Sequence, residues 1–378
     1  MINVREKFLQ LTNNRTPKGL EESVIKLITE FTLQKDEFDN YYYIIKKSDG
    51  TFSNTMFSAH LDTIDRGPSS YSVGHYDNEL KKWIYPEKNE EEKEKDKEKL
   101  IKHVFDGDFV KTDGNTNLGA DDKAGVTIMI NLMSEGVPGL YYFFMGEESG
   151  CVGSSSLSRV YKSKVESGVL PQVNKCIAFD RRGYDSIITE QMSSECCSDV
   201  FAKDLAAKLN EYGFWFKPDP TGIYTDSAEF TDVISECTNL SVGYFSEHTT
   251  SEKQDLEFLE LFAITLTKID WEKLQVFRDT SKIIYKGKKS ATYNRGGANW
   301  DWDDDYSEFW YGNTNHNFNN FNTSTKNNNT YVDRGKGDLD KLNNTINDDA
   351  EFDKWYLEQK NKGWKIDDTL KNNENIVD

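Results

Sequence analysis

The chain is poor in the patterns that mark membrane and secreted proteins. No apolar stretch among its 378 residues reaches 18, so we expect no transmembrane helix and no membrane partner. The first residues, MINVREKFLQLT, lack the apolar core of a signal peptide. The five cysteines are an odd number, and the adjacent Cys196 and Cys197 do not suggest a disulfide framework. These absences favour a reduced, cytoplasmic setting with buried free thiols.

Acidic residues outnumber basic ones, 65 Asp and Glu against 46 Lys and Arg, and the formal net charge is −19. Residues 276–378 hold 15 Lys and Arg against 18 Asp and Glu, so most of the negative charge lies in residues 1–275. A core this acidic repels a phosphate backbone, so no nucleic-acid partner is expected. Residues 276–378 contain 18 Asn and few aliphatic residues. We therefore predict one folded domain over 1–275 and a largely disordered, low-complexity tail over 276–378.

Apolar periodicity predicts an alternation of helices and strands over residues 1–275. Predicted helices cover 2–11, 20–33, 122–135, 152–161, 198–212, 227–235 and 252–270. Predicted strands cover 40–47, 55–60, 140–145, 175–180, 185–189 and 238–245, with 185–189 pairing with 175–180. A polar, charged excursion fills 63–108. The alternation predicts an α/β fold, with a mixed, largely parallel sheet and helices on both faces.

Acidic and imidazole residues stand directly after several of these apolar runs. They are His60 in SAHLDT, Asp121 in LGADDKAG, Glu147 and Glu148 in FFMGEESG, Asp180 in IAFDRRG, and His248 in YFSEHTTSE. Strand ends are where an open α/β sheet carries its chemistry. Carboxylates with two imidazoles suit zinc, or a related divalent ion, better than a thiolate site does. The chain has only five histidines, so two of them in such contexts are informative.

This set of residues matches the needs of a two-metal hydrolase. Two ions about 3.5–4 Å apart need one shared carboxylate and separate ligands on either side. Asp121, at a strand-to-helix turn, suits the shared position, and its neighbour Asp122 is the alternative. The remaining ligands give each ion one imidazole and one carboxylate: His60 with Asp180, and His248 with Glu148.

Two further carboxylates would serve the reaction without being ligands. Glu147 is left free beside the ions, as a general base must be. Asp62 lies two residues after His60, where its carboxylate can accept the ring proton of that histidine and fix the tautomer that binds metal.

Substrate contacts are less defined by the sequence. Arg181 and Arg182 could grip a substrate carboxylate as bidentate partners, or could form salt bridges with neighbouring acids. Asp226 could line the pocket or cap a helix. In the tail, aromatic islands such as Trp300 and Trp302 fit a docking motif or a disordered segment.

The motifs resemble those of a known family. SAHLDT resembles the His-x-Asp motif of the co-catalytic zinc exopeptidases. KTDGNTNLGADDKAG closely resembles the same stretch of the peptidase T family, and GEESG resembles the paired glutamates of the exopeptidases. The motifs follow the family's order over roughly residues 40–270. The resemblance implies an α/β/α sandwich, two zinc ions (or Co²⁺ or Mn²⁺) and short peptides as substrates.

The resemblance also implies roles for individual residues. One zinc would be bound by His60, Asp121 and Asp180, and the other by Asp121, Glu148 and His248. Glu147 would be the base and Asp62 the residue that orients His60. Peptidase T relatives carry a dimerisation or lid domain before the last histidine, but here Asp180 and His248 are only 68 residues apart. The layout therefore resembles the lidless, single-domain aminopeptidases.

Three functions follow as hypotheses. The first is a dinuclear zinc aminopeptidase that acts on short peptides. The second is a carboxypeptidase or N-acyl amino acid amidohydrolase, in which Arg181 or Arg182 binds a substrate carboxylate. The third is an inactive metal-binding interaction module whose Asn-rich tail contacts the partner.

Overall fold

A computed structural model describes residues 2–64 and 101–282, together with the strand backbone of residues 75–77 and 82–84. The α-helices of this part are α1 Val4–Leu11, α2 Glu22–Ile25, α3 Ala120–Ser134, α4 Val152–Glu166, α5 Asp199–Asn210 and α6 Leu256–Leu266. Short 3₁₀ helices cover Glu147–Ser149, Asp226–Phe230 and Trp271–Lys273. The predicted tail beyond residue 282 and most of the predicted excursion lie outside the described residues.

Eight strands form the main sheet in the order β1-β2-β8-β3-β9-β14-β10-β13. These strands are β1 Gln34–Lys35, β2 Tyr41–Ile45, β3 Thr55–His60, β8 Gly139–Phe144, β9 Lys175–Arg181, β10 Ser186–Ile188, β13 Lys217–Asp219 and β14 Glu236–Ser241. Its centre, from β8 through β3 and β9 to β14, is parallel. β1, β2 and β10 add antiparallel pairings. The mixed, largely parallel sheet is therefore as predicted.

The remaining strands form smaller sheets. A four-stranded sheet has the order β15-β16-β7-β6, and two hairpins join β4 to β5 and β11 to β12. These strands are β4 His75–Asp77, β5 Lys82–Ile84, β6 Val104–Asp106, β7 Phe109–Lys111, β11 Glu190–Gln191, β12 Ser194–Glu195, β15 Tyr244–Phe245 and β16 Lys253–Asp255. The interval between Asp180 and His248, which is described throughout, contains no separate domain and contributes β10, β13 and β14 to the main sheet.

Helices cover both faces of the main sheet. Successive strand residues point to opposite faces, so Tyr141 and Tyr142 mark the two sides. On one side Tyr142 stacks on Phe144, and Phe144 stacks on Phe230, which also contacts Tyr161 of α4. On the other side lies α3, which packs against β3 and β9 and is itself covered by α1 and α6. Every residue of α3 from Ala120 to Met133 is buried, including the charged residues Asp121, Asp122 and Lys123 of its first turn.

The N-terminal prediction of a helix over 20–33 is wrong in extent. Only Glu22–Ile25 is α-helical, and among the apolar residues of 20–33 only Val24 and Ile28 are buried. Beyond Lys26 the hydrogen bonds become those of a 3₁₀ turn, and Phe31 packs on Tyr43 of β2 instead of continuing a helix. Packing of this segment on the sheet edge overrides a pattern that also fits an amphipathic helix.

Two further predictions near the C-terminal half need correction. The strand at 185–189 does not pair with 175–180, because β14 lies between β9 and β10. The helix predicted over 252–270 starts only at Leu256, since residues 253–255 pair with β7 as a strand and Asp255 caps the helix by accepting from Phe258 N at 3.0 Å.

The folded unit continues past the predicted boundary at residue 275. Arg278 is buried and its guanidinium donates to the carbonyl oxygens of Glu195, Thr231, Ile234 and Ser235. All five cysteines are buried free thiols, as predicted. In the described part of the chain, no helix has the length and apolarity of a membrane span.

Candidate metal centre

Three neighbouring parallel strands deliver side chains to one edge of the main sheet. His60 is the last residue of β3, Asp180 lies near the end of β9, and Glu147 and Glu148 follow β8. In the sheet β3 lies between β8 and β9, and His60 is in register with Phe144. The carboxyl ends of these strands therefore bring two ligand candidates and the paired glutamates together.

Asp121 and His248 reach this edge from loops. Asp121 begins α3 with extended backbone angles (φ −81°, ψ 102°), so it does not yet follow the helical path. His248 follows β15 and has a positive φ of 61°, which is uncommon for a residue with a side chain. Its ring is less than half exposed.

The two carboxylate oxygens of Asp121 face two different imidazoles. Oδ1 lies 3.0 Å from His60 Nε2, and Oδ2 lies 3.1 Å from His248 Nε2. Asp180 Oδ1 is 3.5 Å from His60 Nε2, and Glu148 Oε1 is 2.9 Å from His248 Nε2. The ligand atoms of each group lie within 4.8 Å of one another: His60, Asp121 and Asp180 in one, and Asp121, Glu148 and His248 in the other. The donor atoms are imidazole nitrogens and carboxylate oxygens, which fit a divalent ion such as zinc.

The electrostatics reflect carboxylates crowded in a buried space. Burial, followed by the charge of Asp121, raises the pKa of Glu148 to about 7. Burial alone would raise the pKa of Asp121 as well, but hydrogen bonds from His248 and His60 lower it below the usual range. Burial alone would lower the pKa of His248, but hydrogen bonds to Asp121 and Glu148 raise it to about 12. The carboxylates thus attract positive charge strongly to this place.

Glu147 lies beside both groups. Its Oε2 is 3.9 Å from His60 Nε2, and Cys151 Sγ approaches its Oε1 at 3.8 Å. Burial first, and then the neighbouring carboxylates, raise the pKa of Glu147 well above its usual value, although the charge of His60 opposes this. A carboxylate in such a place has a strong tendency to take up a proton.

Asp62 contacts both sides of the site, but in a different way from the one predicted. His60 Nδ1 lies 2.9 Å from the backbone carbonyl of Asp62, while the nearer carboxylate oxygen is 3.6 Å away. The carboxylate instead accepts the backbone N–H groups of Glu147 at 3.0 Å and Glu148 at 3.2 Å. The ring of His60 is thus nearer to the backbone carbonyl of Asp62 than to its carboxylate, which also holds the turn that carries the glutamates.

Asp122 does not face the imidazoles. Its carboxylate is fully buried and accepts from His60 N at 3.1 Å and from Gly125 N at 3.0 Å. A Cβ at position 125 would lie 2.5 Å from Asp122 Oδ1 and from the carbonyl oxygen of Phe179, so only glycine fits there. Of the two neighbouring aspartates, Asp121 is the one whose geometry suits a bridge.

Asp180 is held by residues that the sequence did not single out. Thr225 Oγ1 donates to its Oδ2 at 2.6 Å, and Tyr244 OH donates to its Oδ1 at 3.1 Å. The side-chain amide of Asn239 accepts from the backbone N–H of Asp180 and donates to its backbone carbonyl oxygen, both at 2.8 Å. The one feature of the sequence that could have pointed to Thr225 is its position next to the candidate residue Asp226.

The three candidate substrate residues have partners within the protein. Arg181 Nη2 donates to Thr221 Oγ1 at 3.1 Å and lies 3.7 Å from Asp219. Arg182 Nη1 lies 3.5 Å from Glu247, so the salt-bridge alternative describes both arginines. Asp226 begins a 3₁₀ helix instead of the predicted helix over 227–235, makes no capping hydrogen bond, and accepts from Ser154 Oγ at 2.5 Å.

Comparisons with known proteins place the fold. No family model matches the chain. The uncharacterized protein YqjE of Bacillus subtilis is 44% identical over 66 residues, which is 16% of this chain and 18% of that relative's length. Aminopeptidase PepT from Bacillus cereus has a TM-score of 0.52 at 15% identity, covering 71% of this chain and 97% of that one. TET1 peptidase from Pyrococcus horikoshii has a TM-score of 0.50 at 18% identity, covering 70% and 98%.

These structural likenesses have identities below 25%, so they establish the fold and not the chemistry. The described part of the chain shares its α/β fold with PepT and TET1, in agreement with the predicted mixed, largely parallel sheet. The groups of candidate ligands lie at one edge of that architecture.

Proposed function

We propose that this chain is a metal-dependent aminopeptidase that removes residues from the free amino end of short peptides. The observation that carries the proposal is the position of Asp121, whose two oxygens lie 3.0 and 3.1 Å from the Nε2 atoms of two different histidines. A bridging carboxylate in a two-metal site needs this arrangement. The shared fold with PepT and TET1, which are named as an aminopeptidase and a peptidase, supports the reaction class.

Five residues would hold two divalent ions. His60, Asp121 and Asp180 would bind one ion, and Asp121, Glu148 and His248 would bind the other. The ions would be zinc, or alternatively Co²⁺ or Mn²⁺. When bound, such ions polarise the scissile carbonyl and make water a better nucleophile.

Glu147 would carry the proton in the reaction. Its carboxylate also forms a third group of possible ligands with His60 and Glu148, but in the proposed roles it stays free of the ions. It would take a proton from the attacking water and pass it to the nitrogen of the leaving amine, so that one peptide bond and one water give a carboxylate and an amine. Asp62 would keep Glu147 and Glu148 in place through the two backbone N–H groups that it accepts.

The alternatives have less support from the geometry. A carboxypeptidase or an N-acyl amino acid amidohydrolase would need Arg181 or Arg182 for a substrate carboxylate, and both already face an acidic residue of the protein. An inactive binding module would not need Glu147. The buried free thiols support the proposal of a cytoplasmic setting.

A peptide pool tests the proposal directly. The full chain, loaded with zinc, is incubated with mixed short peptides, and the products are followed by mass spectrometry against a chelated control. We expect residues to leave one by one from free amino ends in the zinc-loaded sample alone. Loss from carboxyl ends, or of acyl caps, would instead identify the second hypothesis, and unchanged peptides would contradict a peptidase.

Glu147→Gln tests the role of the base. We expect kcat to fall by roughly 10²–10⁴-fold, the usual contribution of general acid–base catalysis, with metal content unchanged. Glu166→Gln, at an exposed position at the end of α4, is the matched control and should keep full activity. Turnover of the Glu147 variant at the rate of this control would remove the base assignment.

A further inference from the structure

A buried carboxylate connects two of the segments that carry candidate ligands. Glu252 is 1% exposed and lies four residues after His248. Its Oε2 accepts the backbone N–H of Gly119 at 2.7 Å, and its Oε1 accepts the backbone N–H of Asp121 at 3.0 Å. One side chain therefore joins the loop before α3 to the loop that carries His248.

The N-terminus of α3 explains why this contact is needed. Gly119 is the N-cap of the helix in a left-handed conformation and has no side chain with which to accept from the first N–H groups. The first N–H groups of a helix have no partner within the helix and need one from elsewhere. Glu252 supplies acceptors from a distant part of the chain, and a carboxylate also suits the positive end of the helix dipole.

The contact acts on the residue that both ion groups share. The Asp121 backbone is fixed at its N–H by Glu252, while its two carboxylate oxygens point to His60 and His248. If the N–H were released, the extended backbone at this position could rotate, and the carboxylate would no longer face both imidazoles. Each carboxylate oxygen of Glu252 has a different N–H donor, so the side chain resists rotation as well.

A buried lysine lies in the first turn of α3. Lys123 is fully buried, and its Nζ donates to the carbonyl oxygen of Leu61 at 3.0 Å and to Thr16 Oγ1 at 2.5 Å. Burial lowers the pKa of Lys123 to about 8, although the charges of Asp62, Asp122 and Glu252 act in the other direction. Glu252 thus lies in a buried region that also holds a basic group.

We infer that Glu252 is a positioning residue that holds Asp121 in the bridging orientation before any ion binds. The inference rests on the proposed two-metal site, and it adds a residue that contacts neither an ion nor a substrate. Because Asp121 belongs to both groups, loss of Glu252 should lower the affinity for both ions.

The test uses the full chain with Glu252→Gln. A glutamine retains one acceptor oxygen but points an NH₂ group at the second N–H, so one of the two bonds is lost. We expect the affinity for both ions to fall by about 10–100-fold, as is usual when a group supporting a ligand is removed. Zn²⁺ affinity is measured by competition with a chromophoric chelator, and the visible spectrum of the Co²⁺ form reports the geometry of the ligands.

Glu236→Gln is the matched control. Glu236 is equally buried, lies away from the candidate ligands, and accepts the backbone N–H groups of Ser198, Phe277 and Arg278 at 2.7 to 3.0 Å. Both variants should lose stability, but only Glu252→Gln should change ion affinity and the Co²⁺ spectrum. Equal ion binding in the two variants would overturn the inference, while two ions bound to the wild-type chain would leave the proposed function standing. Wild-type protein that binds no ions would contradict both.

Hydrogen exchange of the wild-type chain tests, without a variant, whether Glu252 holds the backbone of Asp121 before any ion binds. In metal-free protein, the amide protons of Gly119 and Asp121 should already be protected, because Glu252 accepts both of them. Mass spectrometry of a peptide spanning residues 117–122, with and without zinc, measures this protection. Fast exchange without zinc, and protection only with it, would mean that the ion orders the loop and that Glu252 does not.

Discussion

Thr225→Val removes a single hydrogen bond to one candidate ligand while almost preserving the shape of the side chain. Thr225 Oγ1 donates to Asp180 Oδ2 at 2.6 Å, and Thr225 is 2% exposed. A hydrogen bond to a charged group contributes about 1.5–3 kcal/mol, and each 1.4 kcal/mol corresponds to a factor of ten in affinity. Since Tyr244 continues to hold the other oxygen of Asp180, we expect the lower end, a weakening of about 10–20-fold.

The effect should be confined to one ion. Asp180 belongs to the group with His60 and Asp121, whereas the group with Glu148 and His248 does not include it. A titration of metal-free protein with Zn²⁺ against a chromophoric chelator should therefore show one weakened site and one site that is nearly unchanged. This pattern separates Thr225→Val from Glu252→Gln, which should weaken both sites.

Thr238→Val provides the control for loss of a buried hydroxyl. Thr238 is fully buried in β14 and donates to the carbonyl oxygen of Ile188 at 2.7 Å, so its loss affects the sheet but no candidate ligand. Both valine variants should be destabilised by similar amounts in urea. If Thr225→Val bound both ions as tightly as Thr238→Val does, the bond to Asp180 would not support metal binding and the reasoning would fail.

Two other predictions concern stability. Gly125→Ala should lower the free energy of unfolding by about 1–3 kcal/mol in urea denaturation, because the new Cβ meets Asp122 Oδ1 and the Phe179 carbonyl oxygen at 2.5 Å; an unchanged value would contradict this close contact. Burial, and then the charge of Asp62, raise the pKa of Glu21 from 4.5 to about 7, so the folded state holds this proton more tightly than the unfolded state does. The contribution of Glu21 to stability is therefore fully present below about pH 4.5 and is lost as pH rises through 7. Glu21→Gln should flatten the fall in stability over this range relative to the exposed control Glu22→Gln, and parallel profiles for the two variants would contradict the shift.

The sequence predicts the parts of the site that depend on strand ends. His60 and Asp180 follow unbroken apolar runs, and parallel strands bring their ends to one edge, so their closeness could be foreseen. The same holds for the turn after β8 that carries Glu147. The pattern of residue types cannot show which of Asp121 and Asp122 faces the imidazoles, because the two neighbouring aspartates differ only in their backbone angles.

The supporting residues could not be predicted for a different reason. Thr225, Tyr244 and Glu252 act through one or two hydrogen bonds across the fold, and no periodicity marks such residues. The spacing of Asp62 from His60 could not show which of its acceptors lies nearer to the ring, because the carboxylate and the backbone carbonyl of the same residue are both within reach. The short α2 shows that apolar residues at helical spacing do not always form a helix. Here most of them belong to a turn that packs on a sheet edge.

The position of β14 has a consequence for how the chain reaches its native state. β14 lies between β9 and β10 in the sheet, although it is made after both of them on the ribosome. Until residues 236–241 have emerged, the sheet has a gap beside its centre and two strand edges are exposed to wrong partners. The last candidate ligand, His248, follows this strand within a few residues. Completion of the sheet and of the proposed ion site thus falls at the same point of synthesis, so a chain made only as far as β10 has neither a closed sheet nor the full set of candidate ligands.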